Sequence, residues 1–425
     1  MKEKKELLSF SRSAIFQCLL MFAGICAGLW IDGYFLVVAA GITLVTAMFT
    51  KCKNVYYQLL FCLPFTMIYK MSPTSTSLFA YVMLIVGVVL IIKLRTFGSL
   101  QFLLITIFGV YAFMGMGDNV TTVIKMFMGL TLFYNFVKRI NPSDFKNQIL
   151  SFALGMVGSS CIGLLRGNWY RLDAYYTDID YVSVDGTNLI RFSGLYPDPN
   201  YYSISVIVAI TLCLLLFFRK EGNRGLLGIL IIALSVFGFI SYSKLFLLAI
   251  IIVAVVFFFV VVKSVRKRLT TLVVAGIGGL AVFNWMRAGN YLRIMLERLS
   301  GEDISTGRFS IWENYLTYIW NSPRTFLFGD GLGAEYRVIG GPHNTYIESI
   351  FFIGVIGSVL LTVTLITIFK SRSLINRKRL INYLLVAVFL VMISTLGCLT
   401  VNDLMFYCML IWISLNFDFD SKRIR

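Results

Sequence analysis

The chain has 425 residues, 58% of them hydrophobic and only 14% charged, with a formal net charge of +17 and a mean hydropathy of +0.82. That balance excludes a disordered chain and an ordinary water-soluble domain. Continuous apolar runs of about 20 residues cross a bilayer as helices, whereas barrel strands are short and alternate. An all-α integral membrane protein is therefore expected, one polytopic domain over residues 1–425 without internal repeats.

Fourteen transmembrane helices are predicted in chain order, with a range of 12–14: 14–30, 34–50, 55–69, 77–92, 98–116, 119–137, 148–165, 199–218, 226–241, 245–262, 270–286, 344–369, 380–398 and 403–416. The first run lacks a small-residue cleavage site and is followed at once by a second, so no cleavable signal peptide is expected. With the N-terminus inside, the inner segments hold 26 of the 38 Lys and Arg. The short outer turns hold only Lys70 and Lys244. This is the positive-inside bias. It places both termini in the cytoplasm and accounts for the basic charge through topology and anionic lipid. No nucleic-acid-binding motif accompanies it.

Eight cysteines lie in or beside the spans with no CxxC spacing, so neither a metal site nor a disulfide framework is expected. Lys125 within the sixth span is expected to snorkel to a headgroup.

Two outer loops are longer than turns. Loop 166–198 mixes Trp169, Tyr170, Tyr175, Tyr176 and Tyr181 with Asp173, Asp178, Asp180 and Asp185. Rings and carboxylates suit a sugar; tyrosine and tryptophan also belt membrane interfaces. The three later aspartates lack the intervening oxygen ligands of a calcium loop. Loop 287–343 is long enough to carry function. Within it, Ser305-Thr306-Gly307-Arg308 followed by Ile311, Trp312, Tyr315, Tyr318 and Ile319 predicts a polar-capped amphipathic helix lying against the membrane face, ended by Pro323. Gly329, Gly331 and Gly333 then predict a tight turn with positive φ. No Gly-Lys-Ser/Thr follows, so it is not a nucleotide loop.

His343 is the single histidine. It closes the long loop, and Asn344 is placed to cap the next helix. Arg191, Lys244, Arg308 and His343 all fall on the outer face. Cations against a low-dielectric wall suit a phosphate group: arginine offers a planar fork, lysine a point charge. A nearby histidine suits proton abstraction from a hydroxyl. Glu348 is a second acid–base candidate. At five residues from His343 it faces another side of the helix, and the cost of burying a carboxylate turns it toward the bundle or water.

The stretch Arg191…Gly194…Pro197…Asn200, the Ser243-Lys244 pair, the Thr306-Gly307-Arg308…Trp312 block, Gly329…Gly331…Gly333, and His343-Asn344 with Gly354 and Gly357 beyond it together resemble the O-antigen ligase and polymerase superfamily of bacterial envelopes. The resemblance covers residues 190–360; the N-terminal half matches only as a helix array. It implies a glycosyltransferase C-like helix bundle in the bacterial cytoplasmic (inner) membrane. It also implies an undecaprenyl-diphosphate-linked glycan as donor, a glycan acceptor on the periplasmic face, no cofactor and no metal. Chain-length regulators and flippases are the partners it implies. By the same resemblance Arg308 binds the donor diphosphate and His343 is the general base. Arg191 matches a recurrent arginine before the Pro-x-Asn turn. Lys244 stands where the family commonly has arginine, keeping the charge but not the fork. Asn200, Trp312, Asn344 and Glu348 are accessory candidates.

Two activities fit that resemblance. Repeat-unit polymerisation is the leading expectation for a chain without the strict arginine pattern. Ligase-type transfer of a finished glycan is the alternative. A lipid-linked oligosaccharide flippase predicts related halves and short outer loops, and this chain has neither.

Overall fold

The computed structural model describes residues 12–70, 76–94, 98–115, 120–165, 181–184, 187–196, 198–261, 307–332, 341–374, 380–399 and 404–417, with the single positions 266, 269, 284, 293 and 334. The described elements are almost entirely helical. In chain order they are α1 Arg12–Trp30, α2 Tyr34–Phe49, α3 Cys52–Cys62, α4 Leu78–Leu94, α5 Leu100–Met114, α6 Val120–Arg139 and α7 Pro142–Leu165. A hairpin follows, β1 Tyr181–Val184 and β2 Thr187–Ile190. Then come α8 Pro199–Arg219, α9 Arg224–Phe239, α10 Lys244–Val256, α11 Arg308–Trp320, α12 Pro323–Phe328, α13 Thr345–Lys370, α14 Leu384–Thr395 and α15 Leu404–Leu415.

Four of these, α6, α7, α8 and α13, are long and apolar enough to cross a membrane, and eight shorter apolar helices accompany them. Both the centre and the periphery of the bundle are apolar. Leu132, Phe136, Ile207, Leu212 and Trp412 are fully enclosed, while Leu19, Ile92, Leu103, Ile229 and Val359 point outward. Apolar side chains on both surfaces of a helix array are the mark of a protein solvated by lipid.

One expectation needs correction. The predicted span 55–69 is the 11-residue α3 followed by a 3-10 turn, Leu63–Phe65. It is too short to cross as one helix, and its apolar residues are buried against α7 and α1 instead. The all-helical expectation holds, with one small hairpin added. Within the loop 166–198, β1 and β2 pair antiparallel, Tyr181 opposite Ile190 and Val184 opposite Thr187. The predicted span 270–286 lies outside the described residues.

Basic side chains close several helix ends at one end of the bundle. Lys93 of α4 donates to Thr50 O beyond α2, 3.0 Å. Lys53 of α3 pairs with Asp144 of α7, 2.9 Å. Arg372 beyond α13 donates to Lys138 O, 2.8 Å, and Ile140 O, 3.2 Å, at the end of α6. These carbonyls have no intrahelical donor, and a guanidinium is a natural cap for them. The opposite end carries the heads of α8, α10 and α13.

Helix α13 is interrupted. Gly354 has φ 64° and ψ −178°, a conformation open only to glycine. A Cβ there would lie 2.3 Å from Leu327 O. The break frees carbonyls, and each finds a donor from elsewhere in the fold: Asp330 N to Phe351 O, 2.8 Å, and Gly331 N to Phe352 O, 2.9 Å. Tyr111 Oη of α5 donates to Ile353 O, 2.8 Å. Asp330 is itself held by Tyr318 Oη, 2.7 Å, and Thr325 Oγ1, 2.6 Å. The glycine-rich turn therefore clips α11 and α12 onto the upper half of α13. The expected positive φ is present at Gly329 and Gly331; Gly333 lies outside the described residues.

Candidate functional site

The site is built where α8, α10, α11 and α13 begin. Asp198 caps α8, its Oδ1 accepting from Asn200 N, 2.6 Å, and Tyr201 N, 3.3 Å, with Pro199 in the first helical position. This is the favoured start of a helix, because proline lacks a donor where no partner exists. The cap sets Asn200 at the inner wall. Asn200 Oδ1 accepts from Arg191 Nη2, 3.2 Å, and from Ser243 Oγ, 3.0 Å. Arg191 Nε also donates to Ser241 O, 3.3 Å. Arg191 is 6% exposed. A buried guanidinium fixed this way contributes a standing positive potential, with its fork held by protein rather than swinging free.

Ser243 caps α10, accepting from Phe246 N, 3.4 Å. It therefore ties the head of α10 to Asn200. Lys244, the first residue of α10, is half-buried and sits one residue from that knot.

Arg308 is the first residue of α11, as expected, but the preceding cap differs. Gly307 enters the helix in a left-handed conformation, φ 79°, with no side-chain cap bond. Ser305 and Thr306 lie outside the described residues. Tyr315 and Ile319 are buried against the bundle, with Ile311, Trp312 and Tyr318 partly covered beside them. Trp312 reaches across to the end of the long loop, where its Nε1 donates to Pro342 O, 2.7 Å. That bond fastens the helix bearing Arg308 to the residue before His343.

His343 adopts φ 45°, uncommon for a side chain other than glycine. Taken as a whole the residue is exposed, with its ring set toward the other helix heads, where it is partly desolvated. Asn344 then caps α13 as expected, accepting from Tyr346 N, 3.0 Å, and Ile347 N, 3.2 Å. Its Nδ2 donates to Ser394 O, 3.1 Å.

The electrostatics link these residues. The His343 pKa is lowered from its ordinary 6.5, by desolvation first and then by the positive charge of Arg308; the Asp198 carboxylate opposes the shift. Arg308 is lowered by desolvation and raised by Asp198, with Arg191 adding a like-charge repulsion and Tyr201 opposing it. Arginine stays charged in any case. At neutral pH the site therefore holds a neutral imidazole next to a cationic Arg308, with Arg191 behind it. Chemically, such a set is able to hold an anion and to accept a proton.

Glu348 is placed differently from a proton donor to substrate. It is 1% exposed, and its Oε2 accepts from Leu399 N, 2.9 Å. Gly397 packs on the same carboxylate, where a Cβ would come within 3.0 Å of Oε2. Thr345 Oγ1 donates to Leu396 O, 2.6 Å, and receives Cys398 N, 2.9 Å. Tyr201 Oη of α8 donates to Gly397 O. The 394–399 turn thus braces the head of α8 against the head of α13, and Glu348 belongs to that brace.

Sequence reasoning passed over Asp198, Tyr201 and this turn. Asp198 carried a readable signal, since Asp-Pro-Asn is a helix start. Tyr201 and the 394–399 turn carried none, because their partners are 196 and about 50 residues away. No group of three or more His, Cys, Asp or Glu suited to a metal ion occurs among the described residues.

No family model matches the chain, and neither a curated protein nor a solved structure matches it.

Proposed function

We propose that this membrane protein is a glycosyltransferase that joins undecaprenyl-diphosphate-linked repeat units into a longer glycan on the outer face of the bacterial cytoplasmic membrane. The observation that carries the reading is the closeness of Arg308, at the head of α11, to His343, before the head of α13, fastened by the Trp312–Pro342 bond. In the reaction, His343 takes the proton of an acceptor sugar hydroxyl. The oxygen attacks the anomeric carbon, and the bond from that carbon to the diphosphate breaks. The electron pair leaves with the diphosphate, where Arg308, Lys244 and Arg191 offset the growing negative charge. The arginine and lysine side chains supply the countercharge in this scheme.

Purified protein given lipid-linked repeat units is expected to make a ladder of longer glycans. A single transfer to a foreign acceptor, with no ladder, means that the protein is a ligase. His343→Ala is expected to slow turnover about 100-fold or more, the usual worth of a general base, with donor binding retained. Unchanged turnover removes the base assignment.

A further inference from the structure

The cap of α8 uses only half of the Asp198 carboxylate. Oδ1 takes both amides, Asn200 N at 2.6 Å and Tyr201 N at 3.3 Å. Serine or asparagine caps a helix as well as aspartate does. The helix dipole favours a negative charge at that end but does not require one. Oδ2 has no hydrogen-bond partner among the described residues, and the residue is half-buried. Capping therefore leaves one oxygen without a task.

Two hydrogen-bonded routes fix where this oxygen stands. Through Asn200, the head of α8 holds Arg191 and Ser243, the cap of α10. Through Tyr201 it holds Gly397 O. The same turn binds the two residues after His343: Asn344 at Ser394 O, 3.1 Å, and Thr345 at Leu396 O, 2.6 Å. Asp198 thus belongs to one knot with the arginine side and the histidine side, and its charge acts on both Arg308 and His343.

That placement is costly in a site made only for a diphosphate. A fixed carboxylate repels the anion that Arg308, Lys244 and Arg191 attract. It suits a hydroxyl instead, since a carboxylate only accepts, and hydrogen bonds to a charged group are the stronger kind. Both substrates of the proposed reaction carry a lipid diphosphate. The site therefore has to sort a diphosphate end from a hydroxyl end.

We propose that Asp198 is the acceptor-binding residue: its open oxygen accepts a hydrogen bond from a sugar hydroxyl beside the one that His343 deprotonates, and its charge keeps a second diphosphate off that side. The inference rests on the glycosyltransferase reading above. It adds a substrate requirement, an acceptor sugar with two neighbouring hydroxyls.

Asp198→Ser and Asp198→Asn each keep an oxygen for the cap and remove the carboxylate. The full-length proteins are compared in vesicles of phosphatidylethanolamine and phosphatidylglycerol with two probes. A two-isoprene diphosphate without sugar reports the donor side. The repeat-unit oligosaccharide, extracted from cells lacking this protein and freed of its lipid diphosphate by mild acid, can serve only as acceptor. With lipid-linked donor at fixed concentration, both variants should raise KM for the free oligosaccharide about 10-fold or more, the worth of a hydrogen bond to a charged group. Both should bind the two-isoprene diphosphate at least as tightly as the unaltered protein, because a repulsion has gone. That binding also reports that the variants are folded. An unchanged acceptor KM overturns the assignment, and so does weaker diphosphate binding. An unaltered protein that neither binds the diphosphate nor extends the oligosaccharide defeats the glycosyltransferase reading and this inference with it.

Discussion

The two ends of the bundle treat charge in opposite ways. At the end rich in lysine and arginine, cations are consumed locally: Lys53 by Asp144, Arg372 by the carbonyls of α6, Arg219 by Glu221. At the other end Arg308 has no ion-pair partner among the described residues, and it stands half-buried beside a neutral histidine. Charges that finish helices are paired. Arg308, at the head of α11, keeps capacity for an anion. The difference separates architecture from chemistry more sharply than the number of cations at either end.

The largest effect that would break this contrast is structural. Gly354→Ala places a Cβ against Leu327 O in a backbone region closed to alanine. It should prevent the clip between the 329–331 turn and α13 from forming, seen as loss of a monodisperse protein in detergent and of all donor binding. Normal folding would mean that the break is dispensable.

Next come two opposed shifts in the pH profile. A general base works above its own pKa, so activity should hold at pH 7 and fall only below about 6.5, the ordinary value, because His343 is shifted down. Arg308→Gln removes a nearby positive charge, which makes protonation easier, and the acid limb should move to higher pH. Asp198→Asn removes a negative charge and should move it to lower pH. Profiles that move together, or not at all, would separate His343 from both residues. Arg308→Lys should weaken donor diphosphate binding about 10-fold, a loss of about 1.4 kcal/mol when a bidentate fork becomes a point charge. Equal affinity in a titration would argue against a clamp.

The smallest effect belongs to the opposite end. Asp144→Asn breaks the pair with Lys53, whose side chain is 38% exposed. Screening limits such a pair to about 1 kcal/mol or less. The melting temperature should drop slightly and turnover should not change. A large loss of turnover would show that the two ends are coupled.

Much of this was written locally in the chain. Apolar runs, their lengths and the alternation of basic segments predicted the helices and sorted their ends onto two faces, because each signal lies within a few residues of the structure it specifies. The cap at Asn344, and Arg308 at the head of its helix, were readable for the same reason. The span 55–69 was misread because apolar content measures removal from water and does not separate a lipid-facing helix from a short core helix such as α3.

The tertiary structure alone decided how the residues at the heads of α8, α10, α11 and α13 are held. That Arg191 is held by Asn200 and Ser241, that Glu348 serves a brace, and that Asp198 bears on both Arg308 and His343 depend on elements tens to hundreds of residues apart in sequence. The sequence by itself determined which residues were available near these helix heads. Packing decided which of them were used up by the protein and which remained for a ligand, since a hydrogen bond or an ion pair exists only once both partners have been brought within about 3 Å.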